Sequence, residues 1–587
     1  MEAHREDPQS DGDGAVEEPG AEPARSLRAW LDGAPLPRLL HLALGLFMPT
    51  ALLIASMWRV SPFTIDDAYI SYRYARNLAR GLGLVYNAGE RIEGYTNFLW
   101  TLLLAAGALV GLDPDALAKV LGGAAACGAL GVVYLLERRV LPLRSLPCLG
   151  PWLLASSIAF SGYAVFGLET PLFVLLVLAG TELLFRESDR EAALGSPPLA
   201  WLATRAGFPV SGLLFALAGL TRPEAPLFLG IPMLFLGLRF FRPQNLLRGA
   251  LFVAPIALHM LWRHGYYGTW LPNTLSAKTG NLEGQIQGGA RYLGEYLAHA
   301  WPALLLALYG FCVAMVTRHR RALCLGVLAV LVGVYVLLVG GDWMPYYRFL
   351  ATFEPYAFIL AGLGGRALGD FFVTWTAAHR ARRARHARHA RGATDRPSLV
   401  VIALAALGTL AALALVAFVS AHRGRMLQRA QSRILHDEKV FWDSAAGGVA
   451  AWFLERGQPG EIGVGDIGYI GYATDYPVLD LLGLVDPVIS TLPGGYTQKT
   501  GAGYVKRIFD KLPRYFVFVG SADGCNRLPF PGQEKLRADA RFQRAYRVAG
   551  QIRHSKKGYW CIFAREDGAP QQPPSPPSPP SRNPGGL

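Results

Sequence analysis

Charge is what this chain has little of: 17% of its 587 residues are Asp, Glu, Lys or Arg, against 52% hydrophobic. So small a charged share excludes an ordinary soluble enzyme. Cysteine is scarce as well, six in all, and no CxxC, HExxH or clustered His suggests a structural or catalytic zinc. No GxxxxGK(S/T) loop, GxSxG elbow or kinase motif set is present, so ATP is not the energy source by any visible motif. No internal repeat is visible, as a duplicated transporter would show. A cleavable signal peptide is not apparent, and the acidic start reads as a disordered tail over residues 1–30.

What is there is a succession of apolar runs near the ~20-residue length of a spanning helix. Spans are expected at 38–59, 117–136, 148–164, 170–186, 207–220, 224–240, 248–263, 300–317, 322–339, 350–372 and 398–420. The first reads as an uncleaved signal anchor. The run at 97–111 is short, and loop charge arbitrates. If it lies at the interface, Arg138, Arg139 and Arg144, then Arg239, Arg242 and Arg248, then Arg318, Arg320 and Arg321 share a side with Arg25 and Arg28. That satisfies the positive-inside rule and predicts about eleven transmembrane helices with a cytoplasmic N-terminus. The net charge of +14 follows from the same rule. The run His379–Arg391 is expected as a cytoplasmic loop facing anionic lipid rather than a nucleic-acid site.

Every polar stretch of unusual composition then falls on the outer face. These are 63–97, GLET at 167–170, TRPE at 221–224, YYGTWLPNTLSAKTG at 266–280 and GGDWMPYYRF at 340–349. Ionisable residues at membrane ends are functional candidates, and five such stretches point to one site. The 31–420 region is therefore expected as the membrane core, and 421–567 as a periplasmic α/β domain. Its helix is expected at 439–456 and its strands at 461–464, 478–482, 515–519 and 559–564. The Pro-rich 568–587 reads as a disordered tail.

The first loop opens with Thr64, Asp66 and Asp67, the form of a helix start with Thr64 as N-cap. Asp66, Ile70, Arg73 and Asn77 recur at helical spacing and share one face. Gly463-Val-Gly465-Asp466-Ile-Gly468 matches GxGxxG. A nucleotide site is rejected: Asp466 would face the pyrophosphate, and Gly471 and Pro477 leave no helix before Asp486. Those glycines are expected to aim 466–472, Asp480 and Asp486 at the membrane. Cys525 and Cys561 are the only cysteines of the outer domain and are expected to pair; the other four pack.

Paired carboxylates beside cations at a membrane surface suit transfer from a lipid-phosphate donor. One carboxylate can deprotonate an incoming hydroxyl. Arg73, Arg222, Lys278 and Arg348 can hold the donor phosphate. Tyr95, Asn97, Glu169, Glu224, Trp270, Asn273 and Asp342 are the candidates for sugar or acceptor binding, though aromatics also belt the membrane interface.

The order of these pieces resembles the GT-C superfamily of polytopic glycosyltransferases. DDAYISYRYARNLARGLGLVYNAGERIEGYTN at 66–97 is similar to the first loop of the mycobacterial terminal β-(1→2) arabinofuranosyltransferase group. WLPNTLSAK, GGDWMPYYRF, DIGYIGY and LDLLGLVDP resemble later motifs of that group. The resemblance implies juxtamembrane helices in the first loop and inverting transfer from a polyprenyl-phosphate sugar to a cell-envelope glycan, lipid or protein acceptor. The protein would sit among membrane lipids of the bacterial inner membrane. An acid of the Asp66–Asp67 pair would be base or acceptor anchor. Arabinofuranose is one donor sugar and another pentose or hexose is equally credible; a divalent cation at the acids is neither shown nor excluded. The rival readings are a transporter or flippase of lipid-linked saccharide, and a non-catalytic envelope scaffold.

Overall fold

The computed structural model describes residues 35–141, 148–193, 208–237, 241–278, 282–389, 399–494, 499–555 and 558–566. The tails expected at 1–30 and 568–587 lie outside them. Five described helices are long and apolar enough to cross a membrane: Leu39–Val60, Pro114–Val140, Pro243–Tyr267, Leu282–Val316 and Arg320–Val339. Shorter apolar helices occupy Phe98–Leu109, Val210–Gly219 and Pro226–Phe235. The helices Thr170–Ala193, Phe353–His389 and Leu399–Arg433 cover three more of the apolar runs.

Two stretches depart from expectation. The run 148–164 is two short helices, Leu149–Ala155 and Ile158–Ser161. The break falls at Ser156 and Ser157, whose hydroxyls turn to the Leu153 carbonyl and the Glu354 carboxylate, as serines that compete with the helix do. The basic run from 379, expected as a loop, continues the helix Phe353–His389 as far as that helix is described.

Small residues set how closely the long helices approach. A Cβ on Gly310 would strike the Leu360 carbonyl, and one on Gly364 the Leu306 carbonyl. Helices Leu282–Val316 and Phe353–His389 therefore meet backbone to backbone.

The first-loop helix spans Asp66–Ala79. Its N-cap is Ile65, without a side-chain cap; Thr64 instead donates to Asp115 Oδ1 at 2.8 Å. The stripe Asp66, Ile70, Arg73 and Asn77 is buried, and so are Ala68, Ser71, Tyr72, Tyr74 and Ala75. A helix enclosed on so many sides has no solvent face of its own.

Beyond the membrane helices a five-stranded sheet forms: β1 Ile462–Val464, β2 Val478–Asp480, β3 Tyr515–Ser521, β4 Tyr546–Ser555 and β5 Gly558–Arg565. The order is β2-β1-β3-β5-β4. β1 runs parallel to β2 and β3, while β5 is antiparallel to β3 and β4. β4 has no counterpart among the expected strands, because this edge strand is largely exposed and carries no apolar run. A helix does lie between β1 and β2, contrary to expectation. It is short, Gly468–Thr474, and ends at Asp475 in a left-handed conformation.

The sheet has a core on each face. On one, Leu479, Ile508, Phe516, Phe518 and Phe563 pack together. On the other, Phe453, Val464, Ile470 and Val478 share a cluster with Ile70, Tyr74, Tyr86 and Tyr95 of the first loop. The first loop is thus part of the outer domain's core. Helix Leu399–Arg433 runs unbroken through residue 420, so the two regions are joined by rigid helix.

Cys525 and Cys561 are disulfide-bonded across 36 residues. Closing a loop of that length restricts the unfolded chain by about 2–4 kcal/mol. Cys525→Ser with Cys561→Ser should lower the thermal midpoint and speed proteolysis within 515–566. An unchanged melting curve would show that the bond adds nothing to the domain.

Candidate functional site

Four of the polar stretches meet around the first loop. Ile65 N–H donates to Phe166 O at 3.2 Å, Leu99 N–H to Leu220 O at 2.9 Å and Asn273 N–H to Glu93 O at 3.0 Å. Side chains continue the contact. Asn97 Nδ2 donates to Glu169 Oε2 at 2.9 Å, and Arg222 pairs with Glu169 at 3.0 Å and Glu224 at 2.6 Å. Arg348 pairs with Asp342 at 2.7 Å on the stretch that follows helix Arg320–Val339.

Electrostatics ties these groups to Asp67. Burial raises the Asp67 carboxyl, Lys278 and Arg348 oppose that rise, and Asp342 and Glu169 add to it. Burial would raise Glu169 too, but Arg222 and Arg348 outweigh it and hold this acid below its ordinary value. Arg348 is raised: burial opposes its charge, and Asp342 overcomes that. Arg222 is likewise raised against burial by Glu224 and Glu169. Asp67, Lys278, Arg348, Arg222, Asp342, Glu169 and Glu224 thus form one charged assembly.

The two neighbouring aspartates are held very differently. Asp66 is buried and accepts the amides of Gly468 at 2.9 Å and Tyr469 at 2.7 Å, at the start of helix Gly468–Thr474. Gly468 is required there, because a Cβ would strike the Asp66 backbone. Asp67 accepts no hydrogen bond from the described residues.

Several expected site residues hold the fold instead. Arg73 does not join the phosphate candidates. Its guanidinium donates to the carbonyls of Tyr86 at 2.8 Å, Gly471 at 2.6 Å and Tyr476 at 2.8 Å. Those donors are already used. Asn273 donates to Gly483 O at 2.8 Å and Leu484 O at 2.9 Å, anchoring the outer domain. Tyr95 is buried against Tyr74 and Tyr267, and Trp270 stacks on His264 at 4.2 Å. Asp486 caps helix Pro487–Thr491 and pairs with Arg507, so it is no ribose contact.

A cavity of about 250 Å³ opens where the first loop faces the sheet. Asp66 and Asp67 line it, with Trp343, Asp466, Lys499, Tyr504 and Phe530. Asp466 is the residue that sequence reasoning left out of the site. It lies nearly 400 positions from Asp67, and its signals are its place two residues after β1 and at the head of the DIGYIGY stretch expected to face the membrane. Asp342 and Trp343 also line a second cavity of about 600 Å³, alongside Tyr296, Arg423 and Arg433. Trp343 is the wall common to both. Among the described residues no group of three or more His, Cys, Asp or Glu is arranged to hold a metal ion.

A family model described as a domain of unknown function (DUF8728) matches residues 433–566. Over 314 residues the chain is 31% identical to the terminal β-(1→2)-arabinofuranosyltransferase of Corynebacterium glutamicum, covering 48% of this chain and 45% of that protein. The Mycobacterium tuberculosis protein of the same name is 29% identical over 283 residues, 45% of this chain and 43% of that protein. The chain thus spans less than half the length of these relatives. Among solved structures, ArnT from Cupriavidus metallidurans, bound to undecaprenyl phosphate, superposes with a TM-score of 0.52 at 13% identity. That match covers 92% of this chain and 100% of ArnT. The fold is shared with ArnT. The membrane fold expected from the first-loop motif is therefore the one the helices adopt, and the sequence relatives carry the arabinofuranosyltransferase name that the motif resembles.

Arg73→Ala would remove three hydrogen bonds to carbonyls. Asn77 and the Asp475 amide still meet the Tyr86 and Gly471 carbonyls, so the Tyr476 carbonyl is the one left unpaired among the described residues, at about 1–3 kcal/mol. It should loosen the outer domain from the first loop, read as faster proteolysis and a lower thermal midpoint, while polyprenyl-phosphate binding by the folded fraction is unchanged. Lost binding at unchanged stability would return Arg73 to the phosphate site.

Proposed function

We propose that this protein is an integral-membrane glycosyltransferase that moves a sugar from a polyprenyl phosphate to a cell-envelope acceptor. The observation that carries this reading is Asp67, acted on by the cations Lys278 and Arg348 and lining a cavity of about 250 Å³, within a fold shared with an undecaprenyl-phosphate-bound protein. As the sugar departs, the polyprenyl phosphate goes from one negative charge to two, and arginine and lysine stabilise the added charge. Arg348 and Lys278 take that part. Arg222, compensated by Glu169 and Glu224, keeps Glu169 ionised and Asn97 in place. The larger cavity beside Asp342 gives the donor head group room on the cation side.

Asp66 and Asp67 are the carboxylate centre, and their surroundings divide the work. Asp66 fixes the outer domain over the site through two amides. Asp67, open to the cavity and beside the cations, anchors the sugar or the acceptor hydroxyl. The membrane core is read as about eleven crossings in the bacterial inner membrane, with the N-terminus cytoplasmic and the sheet domain periplasmic. Arabinofuranose is the donor sugar favoured by the named relatives.

The test is transfer in proteoliposomes from a panel of radiolabelled polyprenyl-phosphate sugars to cell-wall acceptors. The wild type should use one donor, and Asp67→Asn should lower transfer at least about 100-fold, the scale of a positioned acid or base. Full transfer by Asp67→Asn would make the first loop a structural cap. Transbilayer movement of the intact lipid-linked sugar without transfer would favour a flippase.

A further inference from the structure

The sheet of the outer domain is half parallel, and its parallel half faces the first loop. In open sheets with parallel strands, ligands gather beyond the carboxyl ends of those strands. The cavity here is built that way. Gly465, Asp466 and Ile467 follow β1, Leu481, Leu482 and Leu484 follow β2, and Phe530, Gly532 and Gln533 follow β3. The first loop closes the opposite wall with Asp66, Asp67 and Ile70.

Besides Asp475, which pairs with Arg76 and Arg80, four aspartates stand around this junction on the outer-domain side or in contact with it, and backbone amides employ three. Asp66 accepts from Gly468 and Tyr469. Asp480 accepts from Leu482 at 2.8 Å and Val485 at 2.9 Å. Asp486 accepts from Val488 and Ile489, both at 2.9 Å. The fourth, Asp466, accepts from none of the described residues and lines the cavity. It also stands apart from the cations that act on Asp67. Lys278 and Arg348 act on Asp67, whereas Asp67 and Asp480 push Asp466 upward and Asp466 in turn raises Asp66. Asp67 and Asp466 both line this cavity, whereas Lys278 and Arg348 are outside its lining and Asp342, the partner of Arg348, lines the second one. An in-line displacement needs the leaving phosphate on one side of the sugar and the attacking hydroxyl on the other.

We infer that Asp466, carried by the outer domain, is the general base that deprotonates the acceptor hydroxyl. This rests on the glycosyltransferase reading above. The bond from the acceptor oxygen to the anomeric carbon forms as the bond from that carbon to the phosphate oxygen breaks. The electron pair leaves with the polyprenyl phosphate, and the acceptor proton passes to Asp466. Trp343 and Phe530 flank the same cavity and offer ring faces to an acceptor sugar. The outer domain is then half of the active site.

Burial, then Asp67 and Asp480, pushes the Asp466 carboxyl up to about 6. The groups that face it are Asp66 and Asp67 from the first loop, Asp480 from β2, and Lys499 and Tyr504 across the cavity. A base must be deprotonated, so kcat should fall as pH drops through about 6 and level off above it. The experiment takes the donor that the wild type uses and compares wild type, Asp466→Asn and Asp466→Glu in proteoliposomes from pH 5 to 8. Asp466→Asn should lose about 100-fold or more in kcat, with the KM for donor within threefold and the acid limb abolished. Asp466→Glu should keep an acid limb at a displaced midpoint with a lower plateau. Since it retains the charge, it decides the matter if the asparagine variant fails to fold.

An asparagine variant within threefold of wild type, or a glutamate variant whose limb does not move, overturns the inference and leaves Asp67 as the base. A wild type that transfers from no donor overturns the functional reading itself and this inference with it.

Discussion

The arrangement depends on one constraint: the first loop cannot bury its polar groups without the outer domain. Arg73 lies inside the protein without a salt bridge among the described residues, and backbone carbonyls meet its guanidinium. Two of those carbonyls, at Gly471 and Tyr476, belong to the outer domain. Asp66 makes the converse contact, a buried carboxylate satisfied by outer-domain amides. A buried charge is tolerable only when every donor or acceptor it exposes is met. The two domains are therefore fixed to each other by groups that neither can satisfy alone. Around them Tyr74, Tyr86, Ile470 and Val478 close a common apolar core.

That constraint also explains what the sequence could and could not disclose. Apolar runs, the acid pair, the clustered outer stretches and four of the five strands are local patterns, and each is written in consecutive residues. The roles of Arg73 and Asn273 are not. Both look like ligands for a substrate, and both are consumed by backbone some 200–400 positions away. Spacing cannot separate an arginine that meets a phosphate from one that meets a carbonyl. Asp466 failed in the opposite direction. In the sequence it counts against a nucleotide site; in the structure the same residue stands at a strand end facing Asp67.

The glycine motif at Gly463–Gly468 shows how one local geometry serves another chemistry. A parallel β-α-β unit is present, with the helix Gly468–Thr474 that Gly471 and Pro477 argued against. In a nucleotide-binding unit the amides at such a helix start meet phosphate. Here they meet the carboxylate of Asp66. The glycine at 468 is needed here because only a residue without Cβ lets the Asp66 backbone come this close. The anion has been supplied by the protein's own first loop.

The charge assembly around Asp67 adds a further step. Arg222 is neutralised by two acids and Arg348 by one, so neither stands as an unpaired buried charge, which would be costly. A lipid phosphate that reaches Arg348 has to compete with Asp342, and its approach loosens that pair. Asp342 and Trp343 are adjacent in the chain, and Trp343 is the wall between the two cavities. In the proposed reading, donor binding at Arg348 is thereby coupled to the wall that separates the donor side from the acceptor side.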